Sequence, residues 1–280
     1  MDRSGRLNSS SRSHKAPRTQ SPAFCGIAFM AKASAPGRTK TRLVPPLSFD
    51  EAAALNTTFL QDVSDNVILA ARHAAPGAGI AGYAAYGPPG SEGFFQETLP
   101  AAIGLIGAWL PHFGECLFHT IQEILGRGHG AAVVLNADSP TLPTALLIET
   151  AAVLARPGDR AVLGPSSDGG YYLLGLKTAH RRMFEDIAWS TESVAEQTLA
   201  RAREIGLDVH SLPVWYDVDD VEGLSRLHGE LSGEGLARRS PGAYPPHYAV
   251  QTAKLMRRLR RDHDFARHGE RAMQAGEARA

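Results

Sequence analysis

The feature that most constrains this chain is a series of short, unbroken apolar runs at 24–30, 80–86, 131–135, 161–163 and 171–176. Runs of this length, closed by glycine, proline or polar residues, are what strands buried on both faces look like. The stretches between them carry helical spacing instead. Leu55, Phe59, Leu60, Val63, Val67, Ile68 and Ala71 recur on one helix face, after a start at Ser48-Phe49-Asp50-Glu51 and before Pro76-Gly77. Acids in a first turn complement the helix dipole. Further helices are expected over 94–109, 116–125, 144–156, through 184, from 190 to about 205, and over 221–231; a last strand falls within 209–218. Strand alternating with helix predicts an α/β fold with a mostly parallel sheet covered on both faces. Such sheets bind ligands beyond the carboxyl ends of their strands. The chain has 280 residues, enough for one large α/β domain or two small ones.

The strand ends therefore matter most. The first run feeds a loop carrying Lys32, Arg38, Lys40 and Arg42, with Pro36-Gly37 as its turn. A buried strand opening into a basic, glycine-containing loop presents cations and free backbone N–H groups to a phosphate. A merely solvated loop is the plain alternative, but the local charge runs against the surroundings. The net charge is zero, yet residues 1–22 hold five basic residues against one acid, and 238–280 hold ten against four. The middle, 23–237, holds 14 basic and 24 acidic residues. An acidic domain with one basic loop suits a small anionic ligand better than a nucleic acid.

Acids stand at the other strand ends. Asp138 follows the 131–135 run, and Pro140 turns the chain after it. A carboxylate there can hold a hard divalent cation, because Mg²⁺ takes one or two protein carboxylates plus phosphate oxygens and waters; capping or bracing the turn is the alternative. Asp217 and Asp219 flank Val218 and share a side of an extended segment, with capping of the next helix as their alternative. In Asp168-Gly169-Gly170, two glycines imply positive φ or close approach to the backbone. The eleven histidines show no ligand spacing, and His119, among Leu117, Phe118 and Ile121, reads as a core or groove residue. No Ser-His-Asp order, nucleophile elbow, dinucleotide fingerprint or Walker motif occurs.

The flanks differ from the middle. Residues 1–22 are basic and serine-rich, lack a signal-peptide core, and are expected to be a disordered extension outside the fold. Cys25 and Cys116 read as buried thiols of a cytoplasmic protein, and no apolar run approaches the roughly 20 residues of a membrane span. Residues 238–280 form a linker and a basic amphipathic helix, with Tyr248, Thr252, Leu255, Met256 and Leu259 on one side. Its apolar stripe packs on its own domain or on a second subunit; contact of 247–262 with a membrane surface is the alternative.

Taken together, 31–43 (AKASAPGRTKTRL) resembles the AKxPxPGxxKTRL opening of the DUF2064 family of glycosyltransferase-A-like proteins. Asn136-Ala-Asp138-Ser-Pro140 is similar to that family's GxDxP strand end. Gly164-Pro-Ser-Ser-Asp168-Gly169-Gly170-Tyr171-Tyr172 with Leu174-Gly-Leu176 is similar to its GPxxDGGYYLLGL, and Trp189-Ser190-Thr191 and Trp215-Tyr-Asp217-Val-Asp219 continue the match. The resemblance spans about 24–232 and implies a GT-A-like, Rossmann-like three-layer sandwich over 23–237. It implies that Ala31, Lys32, Gly37, Arg38, Lys40, Thr41 and Arg42, with Asn136, contact a nucleotide and its phosphates. Asp138 and Asp219, with Asp217 in reserve, are the implied ligands of Mg²⁺ or Mn²⁺. Asp168 is the implied acceptor-positioning residue or base, with Gly169, Gly170 and Tyr171 on the acceptor side. The expected activity is a glycosyltransferase acting on a nucleotide sugar and a small-molecule acceptor; a nucleotidyltransferase using a nucleoside triphosphate and a nucleotide-binding protein without turnover are the alternatives. One departure stands out. The family's Gln and GDLGER-like segment is replaced at 112–120 by HFGECLFHT, which lacks the Arg and the paired acid. Position 136 is also Asn where Gly is common.

Overall fold

The structure, a computed structural model, describes residues 24–232 and 244–262; the extension at 1–22 lies outside them. Seven strands form one sheet: β1 (Cys25–Lys32), β2 (Ile80–Gly87), β3 (Gly104–Gly107), β4 (Ala131–Leu135), β5 (Ala161–Pro165), β6 (Tyr171–Leu176) and β7 (Val209–Ser211). Their order is β3-β2-β1-β4-β6-β5-β7. β1 runs parallel to β2 and β4, β2 to β3, and β5 to β7. Only β6 is reversed, pairing antiparallel with both β4 and β5. That reversal follows from the short connection: Asp168-Gly169-Gly170 turns the chain straight back beside β5, where a parallel neighbour would need a crossover.

Alternation along the central strands separates the two faces. Cys25, Ile27, Phe29 and Ala31 of β1, with Ala131, Val133 and Leu135 of β4, point to one core. The helices α1 (Phe49–His73) and α4 (Thr144–Leu154), with the short α2 (Glu92–Thr98), cover that side. Ala28, Ala132 and Val134 point to the other core, under α3 (Phe113–Gly126) and α5 (Val194–Glu204). α1 begins where its sequence says it should. Ser48 Oγ accepts from Glu51 N and Glu51 Oε2 accepts from Ser48 N, a reciprocal capping box.

One expected element is different. The stretch 94–109 holds the end of the seven-residue helix α2 (Glu92–Thr98) and then the edge strand β3, not one helix. Leu99-Pro100 ends the helix, and Gly104-Leu-Ile-Gly107 pairs with 83–86 of β2. A four-residue edge strand with two glycines has too little periodic signal to be told from helix.

A third apolar cluster lies near the carboxyl end of β1. Leu43, Leu47, Leu55 and Phe59 meet Tyr216 and Val218, Leu224 and Leu227 of α6 (Val221–Ser232), and Met256 and Leu259 of α7 (Val250–Asp262). The basic helix thus lays its stripe on its own domain. Thr252, Ala253, Met256 and Leu259 are buried, whereas Tyr248, expected on that stripe, is exposed. Lys254, Arg257 and Arg258 face outward. Asp62 of α1, buried, caps α7 from outside by accepting from Gln251 N (2.9 Å) and Thr252 N (2.7 Å). No described helix is long and apolar enough to cross a membrane.

Candidate functional site

The basic loop leaves β1 and is pulled into shape by its own side chains. Lys32 Nζ donates to the Arg38 carbonyl (2.8 Å). Asn56 of α1 donates to the Lys32 carbonyl (3.1 Å) and to Ser34 Oγ (2.8 Å). Lys40 adopts the left-handed conformation, φ 51°, which is uncommon for a residue with a side chain and is held by its surroundings. Its chain runs inward, so the side chain is only 5% exposed. The ammonium lies 2.6 Å from Asp138 Oδ1 and 3.1 Å from Asp219 Oδ1. It also donates to the Val218 carbonyl (2.8 Å) and faces the Phe59 ring at 5.2 Å. Burial alone would push its pKa down, but the two carboxylates more than reverse this and hold it charged.

The acids come together because two distant segments are stapled. Ser139 Oγ donates to the Tyr216 carbonyl (2.8 Å), and Val218 N donates to the Asp138 carbonyl (2.9 Å). Asp220, not Asp219, takes the capping role, accepting from Gly223 N at 2.8 Å near the start of α6. Asp219 is left to face Lys40 and, at 3.7 Å, Arg42. Lys32, Arg38, Thr39, Lys40, Thr41, Arg42 and Asn56 then line a cleft of roughly 260 Å³ with Asp138 and Asp219. Ala31 is instead packed into the core and Gly37 stands on an exposed turn, so neither lines the cleft.

A second cleft, of roughly 320 Å³, shares Arg42, Asp138 and Asp219 with the first. It is bounded by Asn136, Ser166, Asp168, Gly170, Tyr171, Asp217 and the 189–192 loop. Gly169 makes this wall: its φ is +87°, and a Cβ there would overlap the Glu192 carbonyl. The turn is closed by Asp168 Oδ1, which accepts from Gly170 N at 2.9 Å, and by Ala195 N donating to the Gly169 carbonyl at 3.0 Å. Asn136 faces this second cleft, not the loop side. Asp217 does so too, and its carboxyl is pushed up to about 6 by burial and by the neighbouring Asp168, Asp219 and Asp138.

The donor set fits a hard divalent cation. Asp138 and Asp219 offer carboxylate oxygens, the nearby Asn136 Oδ1 is buried without a partner, and Asp217 adds uncompensated charge. Two carboxylates completed by phosphate oxygens and water suit Mg²⁺ or Mn²⁺. Among the described residues no three His, Cys, Asp or Glu side chains are grouped to hold a metal by themselves; Lys40 lies between the two acids.

A mostly parallel sheet with one reversed strand, helices on both faces and a charged cleft at its strand ends is the architecture of GT-A-like nucleotide-diphospho-sugar transferases. Within it, residues 71–191 match the DUF2064 family, described as uncharacterized protein conserved in bacteria. The family resemblance read from the motifs is borne out; the 31–43 loop and Asp217 and Asp219 lie outside the matched stretch. Among solved structures, a candidate nucleotide-diphospho-sugar transferase from Desulfovibrio desulfuricans G20 is similar at 27% identity, covering 84% of this chain and 98% of its own, with a TM-score of 0.68. CMP:2-keto-3-deoxy-manno-octonic acid synthetase complexed with CTP is similar at 12% identity over 76% of this chain and 100% of its own, TM-score 0.48. A Mycobacterium tuberculosis H37Rv protein solved with manganese is similar at 15% over 72% and 96%, TM-score 0.39. No curated protein matches the chain.

Several site residues escape sequence reasoning. Asn56 is one of several buried polar residues of α1, with Asp62, Ser64 and Asn66, a signal that apolar periodicity alone passes over. Phe113 lines the second cleft from within the 112–120 segment that departs from the family pattern. His119 stays out of both clefts and meets the Gly107 carbonyl at 3.2 Å.

Proposed function

We propose that the protein is a metal-dependent transferase using a nucleotide-activated donor, and that it transfers a glycosyl group from a nucleotide sugar. The observation that carries this is Lys40: a buried, charged ammonium joining the basic loop to Asp138 and Asp219 in one cleft. Similarity to the Desulfovibrio protein supports the reading. In it, the donor diphosphate lies along Lys32, Arg38, Thr41 and Arg42, and Lys40 turns from the carboxylates toward phosphate oxygens. Asp138 and Asp219, with Asp217 behind them, would hold a divalent cation, which would supply Lewis-acid neutralisation of the diphosphate. The acceptor hydroxyl enters from the second cleft. Its oxygen bonds to the anomeric carbon, the carbon–oxygen bond to phosphate breaks, and the electron pair leaves with the nucleoside diphosphate. Asp168, at the strand turn, positions that hydroxyl and takes its proton. Charge stabilisation and positioning supply most of the rate.

Product analysis tests this. Incubation with nucleotide sugars and Mn²⁺ is expected to release nucleoside diphosphate. Release of pyrophosphate from a nucleoside triphosphate would instead make it a nucleotidyltransferase, with Lys40 and Arg42 on the departing pyrophosphate. Saturable nucleotide binding with no turnover of any donor would make it a binding protein.

A further inference from the structure

We infer that the second cleft is the seat of an uncharged, polyhydroxylated ring with one apolar face, a sugar or cyclitol and not a phosphorylated acceptor; this rests on the transferase reading above. Three independent features of the cleft point that way. The first is charge. Asp138, Asp168, Glu192, Asp217 and Asp219 line it, and among the described lining residues Arg42 is the one cation. Lys40 pairs two of these acids from the far side, which still leaves three carboxylates facing the space. Coulomb repulsion in such a partly enclosed site disfavours an anionic occupant.

The second is unmet hydrogen bonding. Ser166 Oγ, Tyr171 OH and Asn136 Oδ1 are buried without partners, all three residues line this cleft, and Ser166 is only 7% exposed. Most buried polar groups in proteins are paired, so three orphans on residues that line one cleft mark where a ligand supplies the partners. A hydroxyl both donates and accepts, and a ring of hydroxyls serves this mixture of hydroxyl, amide oxygen and carboxylate together.

The third is an aromatic edge. Phe113 meets Trp189 edge-on with centroids 5.5 Å apart, and Trp189 meets Tyr171 edge-on at 6.5 Å. Trp189 is seated against bare backbone: a Cβ on Gly114 would lie 2.7 Å from its Nε1. Phe113 is 52% exposed. A fixed indole beside hydrogen-bonding groups is how a site grips a molecule that is apolar on one side and polar at its edge.

The test is saturation-transfer NMR on the full chain, without nucleotide or metal, using methyl β-D-glucopyranoside, myo-inositol and glucose 1-phosphate as probes. Saturable binding of either neutral ring, on the order of millimolar, with glucose 1-phosphate at least about tenfold weaker, is the expected result. Trp189→Ala and Ser166→Val should each weaken the neutral ring about tenfold, and Trp189→Phe should retain most of the affinity. Wild-type-like cooperative melting of these variants certifies their fold. Glucose 1-phosphate binding as tightly as the neutral rings, or neutral binding indifferent to Trp189→Ala, overturns the inference. Nucleotide affinity is measured alongside: it should survive Trp189→Ala. If nucleotides do not bind at all while the neutral ring does, the donor reading falls and this one stands.

Discussion

Lys40 Nζ lies 2.6 Å from Asp138 Oδ1, closer than any phosphate could approach Asp138 unaided. A carboxylate and a phosphate repel each other, so an ammonium between them is what lets the strand-end acid share a cleft with an anion. Under the proposed transferase reading, the ammonium stands between the two acids that would hold a divalent cation, so metal entry is expected to require that Lys40 move.

Replacing Lys40 by Met should therefore act in two directions. Two partly exposed carboxylates lose their partner, for a loss of about 1–3 kcal/mol in chemical denaturation, less than a fully buried pair would cost. Nucleotide affinity should drop by about tenfold or more. Binding of Mn²⁺ in the absence of nucleotide, followed by the free-ion electron spin resonance signal, should strengthen. Weaker Mn²⁺ binding in this variant would show that Lys40 does not compete for the acids.

Asp217 makes stability depend on pH in a stated window. Its carboxyl is raised from 3.8 to about 6 in the folded protein, so between those values the folded state keeps a proton that the unfolded chain has lost. Stability should fall as pH rises through that window and level off above it. Asp217→Asn should remove this part of the slope and raise the melting temperature near pH 7.5 by about 2–4 °C, on the order of 1 kcal/mol. Melting curves from pH 4 to 8 check it; no gain at pH 7.5 would refute the buried-charge account.

Gly169→Ala should separate the two clefts. The positive φ and the overlap with Glu192 cannot both be accommodated, so the 190–194 loop must shift, at a cost of about 1–3 kcal/mol. Turnover should collapse through the acceptor while nucleotide affinity, measured by titration calorimetry, stays near wild type.

Asp62→Ala removes the cap that α1 lends to α7. Two hydrogen bonds to a carboxylate disappear, and a cost of about 1–2 kcal/mol is expected. Amide hydrogen exchange should accelerate across 250–259 and remain slow in β1 and β4. Equal acceleration everywhere would mean that α7 has no separate stability.

Much of this arrangement was legible in the order of residues. Runs such as Ala131–Leu135, short and bounded by turn residues, read as buried strands, and an acid directly after one marks a cleft in an open α/β sheet. Gly169 announced its conformation through the company of Gly170 and Asp168. Other features depend on contacts that no local pattern encodes. That Lys40, not Arg42, would turn inward is decided by Phe59 and the Val218 carbonyl, far away in sequence. β3 hid inside an apparent helix because four residues carry no period. The motif around Asn136 points to the nucleotide, whereas its placement on the other side of Asp138 follows from Asn136 N donating to the Tyr172 carbonyl (2.8 Å) of the reversed strand β6.

Met256 and Leu259 share their apolar cluster with Phe59, whose ring backs the Lys40 ammonium. Whatever loosens α7, be it a fusion, a clip or a bound neighbour, therefore pulls on the rear wall of the cation pocket from the outside of the molecule. The basic helix is a buttress as much as a surface, and its removal should register around Lys40 before it registers anywhere in the sheet.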